Sequence, residues 1–192
     1  INNLMPRCAE LKKIWEQVPA DYYYNLNLLQ RIWHGWKWHV FKNLLVGSKP
    51  RQILEIGCSS GHLSGQLAAL FPKSHVTGID VYAPAIEEAQ RRFPKLSFII
   101  ADAHQLPFKN NLFDLVLCSE TIEHVSNPQK MLHEIARVMK RNGSALIEMD
   151  SGSLLFRVVW WWWTTFNRGK VWQGAHLYPF TAQELEYLIV NN

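Results

Sequence analysis

The strongest indication of the fold is the sequence QILEIGCSSGH, residues 52–62. Its first five residues are a mostly apolar run that ends in glycine and serine, as a buried strand followed by a tight turn does. A helical pattern then begins at His62. Gly57 and Gly61 allow the backbone to turn sharply and to approach a ligand, and the start of the helix offers free N–H groups. The stretch therefore predicts a strand, a binding turn and a helix in succession.

The alternation of strand and helix patterns continues to residue 149. The predicted strands are 52–56, 76–80, 96–102, 113–119 and 144–149, and the predicted helices between them are 62–71, 84–93 and 128–140. Parallel strands need such crossovers, and right-handed crossovers place helices on both faces of the sheet. The predicted fold class is therefore α/β: a Rossmann-like, doubly wound, mostly parallel sheet.

The composition is that of one compact globular domain, with 192 residues, 48% of them hydrophobic and 19% charged. A formal net charge of +4 is too small to indicate a nucleic-acid partner. Cys8, Cys58 and Cys118 have neither even parity nor CxxC spacing, so we expect no disulfide framework and no metal site. We find no secretory signal pattern and expect a cytoplasmic protein, with membrane association as an open alternative.

The amino-terminal part of the chain is basic. Residues 1–52 hold eight basic and three acidic side chains, a local net charge of +5. Within them, residues 22–46 place apolar side chains at three- and four-residue spacings, which predicts an amphipathic helix. Such a helix can face anionic lipid or an acidic ligand, or it can be an ordinary solvated helix face. We expect three parts within the single domain: a helical cap (1–50), a Rossmann-like core (51–150), and an aromatic segment with a final helix (151–192).

Polar residues follow several predicted strands, at the edge where an open parallel sheet binds its ligand. Asp80 ends the second predicted strand, and Asp102 ends the third. The fourth strand and the residues after it read FDLVLCSETIEHV, residues 113–125. These residues are therefore the first candidates for a binding site.

The glycine pattern after the first strand narrows the choice of ligand. A nicotinamide-dinucleotide fingerprint, G-x-G-x-x-G, requires glycine where this chain has Ser59 and His62. What remains is E-x-G-x-S-x-G, residues 55–61. Together with the strand-end features, this pattern resembles the class I S-adenosylmethionine-dependent methyltransferases. The resemblance is closest to the type 11 domain of small-molecule methyltransferases of the ubiquinone-biosynthesis kind, and it covers residues 52–149.

The resemblance implies S-adenosylmethionine as the cofactor. By position in the motif, Glu55 and the turn from Gly57 to Gly61 would surround its methionine part, with Cys58 and Ser59 along the same wall. The family usually carries a third glycine where this chain has Ser59. A small side chain still fits there.

The two strand-end aspartates are assigned by the resemblance to the adenosine part of the cofactor. Asp80, followed by Val81, would accept hydrogen bonds from the ribose hydroxyls, because an ionised carboxylate only accepts. Asp102 would bind the adenine amino group, and the backbone N–H of Ala103 would bind a ring nitrogen. A helix N-cap role for Asp80 and an ordinary loop role for Asp102 are the structural alternatives.

The resemblance places Cys118 and Ser119 beside the methionine amino group and the sulfonium. For catalysis, the candidates are Glu120, His124 and His176. A general base is needed only if the acceptor loses a proton in the reaction. The sequence does not choose among the three.

The most apolar run of the chain is residues 154–166, which is shorter than the about 18–20 residues needed to span a bilayer. Its four consecutive tryptophans, 160–163, would point all round a helix. With the helix that bears Trp33, Trp36 and Trp38, the run would form a membrane-interface patch or an apolar pocket for a hydrophobic acceptor. Burial of the run in the core is the alternative.

The leading functional prediction is an S-adenosylmethionine-dependent methyltransferase for a small, hydrophobic acceptor, with O-, N- and C-methylation all open. The alternative is a non-catalytic module that binds the cofactor, a membrane or a protein. A nicotinamide-dependent oxidoreductase is disfavoured by Ser59 and His62, and nucleic acid is not expected because residues 119–122 read SETI rather than Asn-Pro-Pro-aromatic. The oligomeric state is not predicted. Because the family's sheet ends in an antiparallel hairpin, we expect further residues beyond Asn192.

Overall fold

The computed structural model describes residues 17–150, 154–166 and 180–191, and these contain a sheet of five strands. The strands are β1 (Gln52–Ile56), β2 (His75–Asp80), β3 (Ser97–Ile100), β4 (Phe113–Ser119) and β5 (Met139–Glu148). The helices are α1 (Leu28–Leu44), α2 (His62–Leu70), α3 (Ala83–Arg92), α4 (Pro128–Val138), α5 (Leu154–Phe166) and α6 (Ala182–Val190). The strand order is β3-β2-β1-β4-β5, and all pairings in the described residues are parallel. The prediction of a Rossmann-like α/β fold is confirmed.

The first helix starts later than the sequence predicts. Residues Tyr22–Tyr24 form a separate 3₁₀ turn, and α1 begins only at Leu28. The cause is a capping box: the Asn27 side chain accepts from the Gln30 N–H, and the Gln30 side chain accepts from the Asn27 N–H, both at 3.0 Å. An N-cap residue has extended backbone, so it separates its helix from whatever precedes it. The prediction of one helix over 22–46 is wrong at its start.

The boundary between α4 and β5 also differs from the prediction. The helix predicted over 128–140 ends at Val138, and β5 begins at Met139 rather than at residue 144. Phe113 pairs with Met139 but Leu115 pairs with Ser144, so two steps along β4 correspond to five along β5. The extra residues form a bulge, which periodicity does not reveal.

Helix α1 packs on the sheet with a face different from the one that Trp33 and Trp36 mark. Phe41 and Leu45 are buried in a cluster with side chains of β1, β2, β4 and α2. Lys37, one turn before Phe41, is buried as well. The large apolar side chains that α1 leaves exposed are Leu28, Ile32, Trp33, Trp36 and Leu44. The apolar residues of α1 therefore lie on two faces of the helix, and only the face with Phe41 is part of the core.

Helix α5 carries the tryptophan run and is 13 residues long. Trp161 and Trp162 are exposed, whereas Thr164 is buried. Within residues 17–150, 154–166 and 180–191, no helix has both the length and the apolar character that crossing a membrane requires.

Asp114 joins three strands, and its loss should destabilise the fold. Its Oδ2 accepts from the backbone N–H groups of Arg51 and Gln52 at 2.9 Å each, and its Oδ1 accepts from Lys140 Nζ at 2.6 Å. We expect Asp114→Ala to lower the free energy of unfolding by about 1–2 kcal/mol, because two N–H groups at the start of β1 lose their acceptor. Urea unfolding monitored by tryptophan fluorescence measures this change.

The matched control is Lys140→Met, which removes the ion pair but keeps both backbone bonds of Asp114. The ammonium is partly exposed, so this loss should be less than about 1 kcal/mol. Equal losses from the two variants would mean that Asp114 acts only through the ion pair.

Candidate functional site

The turn between β1 and α2 has left-handed backbone at three positions. Gly57, Ser59 and Gly61 have φ values of 76°, 45° and 77°. A Cβ at Gly57 would collide with the side chain of Thr121, and a Cβ at Gly61 would lie 2.8 Å from the ring of Phe98. Glycine is therefore required at 57 and 61 both by conformation and by space. At Gly57, which lines the pocket described below, the wall is backbone.

Ser59 holds a left-handed conformation that is uncommon for a residue with a side chain. Its backbone N–H donates to Asp80 Oδ2 at 2.8 Å. The N–H groups of Gly57 and Cys58 both donate to the carbonyl of Ile79 at 2.9 Å. These three bonds stabilise the turn, so serine adopts the conformation in which the family usually has glycine.

The Asp80 carboxylate lies at the carboxyl end of β2 and accepts two backbone hydrogen bonds. Oδ2 accepts from Ser59, and Oδ1 accepts from the Tyr82 N–H at 2.9 Å. Burial raises the pKa of Asp80, and the backbone donors oppose that rise. Tyr82, not Asp80, is the N-cap of α3. Because each carboxylate oxygen has a second lone pair, Asp80 can still accept from a ligand.

Asp102 and Ala103 follow β3 at the same edge of the sheet. The N–H of Ala101 donates to the Asp80 carbonyl at 3.0 Å, which holds this loop beside the end of β2. Ala103 is buried, whereas the Asp102 side chain is 61% exposed. The two aspartates predicted from sequence therefore stand at neighbouring strand ends.

A pocket opens at the carboxyl ends of β1 and β4. The predicted site residues in its wall are Glu55, Gly57, Cys58, Ser59, Ser119 and Glu120. The rest of the wall comes from the amino-terminal part and from α2: Tyr23, His34, Lys37, Trp38, Phe41, His62, Leu63 and Gln66. Helix α1 and the turn before it therefore form part of the pocket wall, and Tyr24 Oη of that turn donates to the Ser60 carbonyl in the glycine turn at 3.3 Å.

The other predicted residues lie around this pocket or elsewhere. Those outside its wall are Gly61, Asp80, Val81, Asp102, Ala103 and Cys118. Val81 is exposed, and Cys118 is buried. His124 ends the 3₁₀ turn Ile122–His124 after β4. His176 lies outside the described residues, so its predicted role stays a prediction.

Glu55 is a buried acid in the pocket wall. Its Oε2 accepts a hydrogen bond from Ser64 Oγ on α2. Burial raises the pKa of Glu55 to about 8, against the opposing effect of the Ser64 hydroxyl. The carboxyl is therefore largely protonated at neutral pH and can donate as well as accept.

The two described cysteines are also buried. Burial raises the pKa of the Cys58 and Cys118 thiols well above the ordinary value. Cys58 packs against Gly78 and Phe98 in the core. A buried, protonated thiol is a poor nucleophile, so both cysteines act as small apolar residues of the core.

Lys37 reaches from α1 to the ends of β4 and β5. Its Nζ lies 2.6 Å from Glu120 Oε1 and 3.3 Å from Glu148 Oε2, and the residue is only 7% exposed. Burial disfavours the ammonium, but the two carboxylates outweigh it and raise the pKa of Lys37. Burial likewise disfavours ionised Glu120, yet Lys37 holds its pKa below the ordinary value. Lys37 and Glu120 therefore form an ionised pair. The backbone of Glu120 is left-handed, with a φ of 48°.

The pocket residues that the sequence did not predict include Tyr23, His34 and Lys37. The rings of Tyr23 and His34 meet edge to face, with centroids 5.5 Å apart. A signal was present, because His34, Lys37, Trp38 and Phe41 follow one another at helical spacings of three and four residues. Polar residues on such a stripe can mark a face that covers a site.

Further carboxylates surround the Lys37–Glu120 pair. Carboxylate oxygens of Glu120, Glu148 and Asp150 lie within 4.8 Å of one another. The backbone N–H of Asp150 donates to Glu123 Oε1 at 3.1 Å. Burial, together with Glu120 and Glu148, raises the pKa of Asp150 to about 7, and burial raises that of Glu123 to about 8. The carboxyl groups of Asp150 and Glu123, near the ends of β4 and β5, therefore titrate near neutral pH.

The residues present suit S-adenosylmethionine. Gly57 offers a backbone wall without a Cβ, and the carboxylates of Asp80 and Asp102 at neighbouring strand ends can accept from hydroxyl and amino donors. Glu55 and Ser119 supply polar groups in the pocket wall for an amino-acid moiety.

Comparison with known proteins narrows the family. The model of a family described as a methyltransferase domain, of type 11, matches residues 54–147. Those residues form a class I S-adenosylmethionine-dependent methyltransferase domain. The match falls within residues 52–149, where the sequence resemblance was found, and the expected cofactor is confirmed as the one this domain class uses.

Named relatives of the methyltransferase domain include a malonyl-[acyl-carrier protein] O-methyltransferase of Legionella pneumophila, 35% identical over 49% of this chain and 34% of the relative. A demethylmenaquinone methyltransferase of Thermotoga maritima is 29% identical over 67% of this chain and 56% of the relative. The chain thus spans between about a third and about half of the length of these relatives. The crystal structure of the YcgJ protein of Bacillus subtilis has the same fold, with a TM-score of 0.68, 21% identity, and coverage of 82% of this chain and 68% of that one.

Glu123 should make the stability of the methyltransferase domain depend on pH. Its folded-state pKa, about 8, is higher than the ordinary glutamate value, so the folded state binds more protons than the unfolded state between those pH values. Stability contributed by this group is therefore present at low pH and is lost as pH rises, at up to about 1.4 kcal/mol per pH unit. Glu123→Gln keeps the Oε1 acceptor for Asp150 and removes the titration.

We expect Glu123→Gln to match the wild type near pH 5 and to exceed its free energy of unfolding near pH 8, measured by urea unfolding at both pH values. Glu186→Gln, at an exposed glutamate on α6, is the control and should track the wild type at both. A constant difference between Glu123→Gln and the wild type across this range would show that Glu123 does not titrate there.

Proposed function

We propose that this protein transfers a methyl group from S-adenosylmethionine to a small, hydrophobic acceptor. The observation that carries the proposal is the bonded unit of glycine turn and Asp80 at the centre of a methyltransferase domain. An open α/β sheet binds its ligand where the strand order reverses, and here that point lies between β1 and β4. A protein that used the fold only as an adaptor would have no need of this unit.

The proposed roles follow the positions of the side chains. Glu55 and the turn through Gly57, Cys58, Ser59 and Gly61 receive the methionine part, with Cys118 and Ser119 beside its amino group and sulfonium. Asp80 and Val81 receive the ribose. Asp102 and Ala103 receive the adenine. The support is that the glycine turn, Asp80 and Asp102 all meet at one edge of the sheet.

Methyl transfer requires mainly that the acceptor is aligned with the methyl group and that water is excluded. S-adenosylmethionine supplies a methyl group on a sulfonium, which becomes a neutral thioether when the acceptor attacks in line. Tyr23, Trp38 and Phe41 line the pocket with aromatic side chains, which we expect to keep water from the reacting atoms. Holding the acceptor in line can contribute about 7–11 kcal/mol to lowering the barrier.

A general base is required only for an acceptor that loses a proton. Glu120, His124 and His176 stay candidates, but Lys37 holds the pKa of Glu120 below its ordinary value, which makes it a weak base. Asp150 joins the candidates, because a carboxylate oxygen of it lies within 4.8 Å of one of Glu120 in the pocket wall and its pKa of about 7 suits proton transfer near neutral pH. Glu120 is better suited to holding α1 in place through Lys37.

The hydrophobic nature of the acceptor is supported by the pocket wall. Trp38, Phe41 and Leu63 line it together with Tyr23. Apolar pockets with a few polar groups are typical of small-molecule sites. The Thermotoga relative, named for demethylmenaquinone, acts on a molecule of this general kind.

Titration calorimetry tests the cofactor. We expect micromolar binding of S-adenosylmethionine and no binding of NADH. Asp80→Asn should weaken S-adenosylmethionine about 10- to 100-fold, because a hydrogen bond to a charged acceptor contributes about 1.5–3 kcal/mol. Glu88→Ala, at an acid that pairs with Arg91 and Arg92 on α3, is the control and should bind like the wild type.

Failure of the wild type to bind S-adenosylmethionine would overturn the proposal and favour the adaptor alternative. If Asp80→Asn bound S-adenosylmethionine as tightly as the wild type does, the proposed cofactor would be supported but the proposed role of Asp80 would be wrong. With binding established, transfer of labelled methyl to hydrophobic acceptors would identify the substrate.

We also propose that the protein is cytoplasmic and contacts anionic membranes through α1. Leu28, Ile32 and Trp36 are exposed at four-residue intervals, and exposed Trp33 stacks on Trp36 with centroids 5.5 Å apart. Residues 22–54 contain no acidic side chain, and their exposed cations are Arg31, Lys42, Lys49 and Arg51. Tryptophan beside lysine and arginine suits the headgroup level of a membrane, and the positive charge complements anionic lipid.

Co-sedimentation with phosphatidylcholine vesicles, with and without phosphatidylserine, tests this contact. We expect binding only with phosphatidylserine, weakened by salt, and at least about a tenfold loss in Trp33→Ala/Trp36→Ala, because burial of one large apolar side chain contributes about 1.5–3 kcal/mol. Tyr187→Ala, at an exposed aromatic residue on α6, is the control and should bind like the wild type. Unchanged vesicle binding by the double variant would contradict the proposal. The proposal would also be contradicted if the wild-type protein bound DNA or associated with itself but did not bind the vesicles.

A further inference from the structure

His104 links the loop after β3 to the start of α4 through both of its ring nitrogens. Nδ1 lies 2.6 Å from Asp102 Oδ1, and Nε2 accepts from the backbone N–H of Asn127 at 3.1 Å. Ser126 Oγ lies 3.4 Å from the same Nε2. The imidazole is mostly buried, with its side chain 16% exposed, whereas the carboxylate that it contacts is 61% exposed.

These partners fix which ring nitrogen carries the proton. A backbone N–H can only donate, so Nε2 must accept from Asn127 and is unprotonated. The proton of the neutral ring is therefore on Nδ1, and Nδ1 donates to Asp102. The backbone N–H of His104 donates to the same Oδ1 at 2.8 Å. One oxygen of Asp102 thus takes two bonds from residue 104, and together they fix the direction of the carboxylate.

The fixed carboxylate stands beside the proposed adenosine site. Asp80 pairs with Ile100 at the ends of β2 and β3, and the Ala101 N–H bonds to the Asp80 carbonyl. With Oδ1 turned to His104, Oδ2 is the oxygen that Asp102 presents toward a ligand. An ionised carboxylate accepts and never donates, so it favours an amino group and repels a carbonyl oxygen.

We propose that His104 is a positioning residue that orients Asp102 and thereby gives the site its preference for adenine over a 6-oxopurine. This inference rests on the proposed function, which supplies the adenosine. His104 does not touch the cofactor. It acts by holding the carboxylate in the direction that accepts from the exocyclic amino group, as outer hydrogen bonds hold ligating groups in other sites. A hydrogen-bond acceptor in a site discriminates strongly against a ligand without the matching donor.

The test compares S-adenosylhomocysteine and S-inosylhomocysteine in calorimetric titrations. The two ligands differ in the 6-amino or 6-oxo group and in the proton that the 6-oxopurine carries on N1. The wild type should bind the adenosyl compound at least about tenfold more tightly. His104→Ala should reduce this ratio several-fold. His104→Asn places an amide N–H near the position of Nδ1 and should keep most of the ratio, whereas His104→Gln lacks that donor and should lose it.

Asn127→Ala separates positioning from a loss of local stability. The Asn127 side chain caps α4 by accepting from the Lys130 N–H at 2.9 Å, while its backbone N–H bonds to His104. The variant therefore removes the cap but leaves the His104 link, and it should lower thermal stability without changing the ligand ratio. Asp102→Ala should lose the ratio, and Asp102→Ala/His104→Ala should lose no more than Asp102→Ala does.

The outcomes are distinguishable from failure of the proposed function. If the wild type binds neither compound, the methyltransferase proposal itself fails. If the wild type prefers the adenosyl compound and His104→Ala or His104→Gln weakens both compounds equally, His104 is only structural and the inference is overturned. An unchanged ratio in His104→Gln overturns it as well.

Discussion

Three hydrogen bonds tie the turn after β1 to the end of β2. Gly57 and Cys58 donate to the carbonyl of Ile79, and Ser59 donates to the carboxylate of Asp80. They form only because the turn follows a left-handed path, which brings successive N–H groups toward the same strand end. Since β1 is the central strand, this turn determines where α2 begins, which backbone lines the pocket, and where Asp80 stands.

The strands and most helices were predictable because each is bounded by residues with a strong local preference. Glycine and serine end β1, and an apolar run marks β4 on both sides of its pleat. The start of α1 was not predicted because the apolar spacing continues through the capping residue Asn27. The early start of β5 was missed because residues 139–144 lie opposite only Phe113–Leu115 of β4, and the bulge interrupts the alternation that marks a strand. The register between two strands depends on both segments, so the hydrophobic periodicity of one strand alone does not reveal it.

The candidate site was predictable on its sheet side and not on its helical side. The residues at strand ends, such as Asp80 and Ser119, are recognisable because a motif surrounds them. Lys37 has no motif, and a lysine on a helix normally indicates solvent. Its partner Glu148 is 111 residues away in the chain. Only the fold brings them together, and burial then turns an ordinary ion pair into the contact that holds α1 over the pocket.

The strand order has a consequence for synthesis of the chain. Strands β2 and β3 join one side of β1 soon after it, but Val116 of β4 must pair with Leu54 of β1 on the other side, 62 residues later. Until then, β1 in a nascent chain has an open edge, and Phe41 and Leu45 lack their partners on β4. Open edges and uncovered apolar side chains are what chaperones bind and what aggregates form through. The central strand of the finished sheet is therefore exposed to aggregation during synthesis, until β4 has left the ribosome.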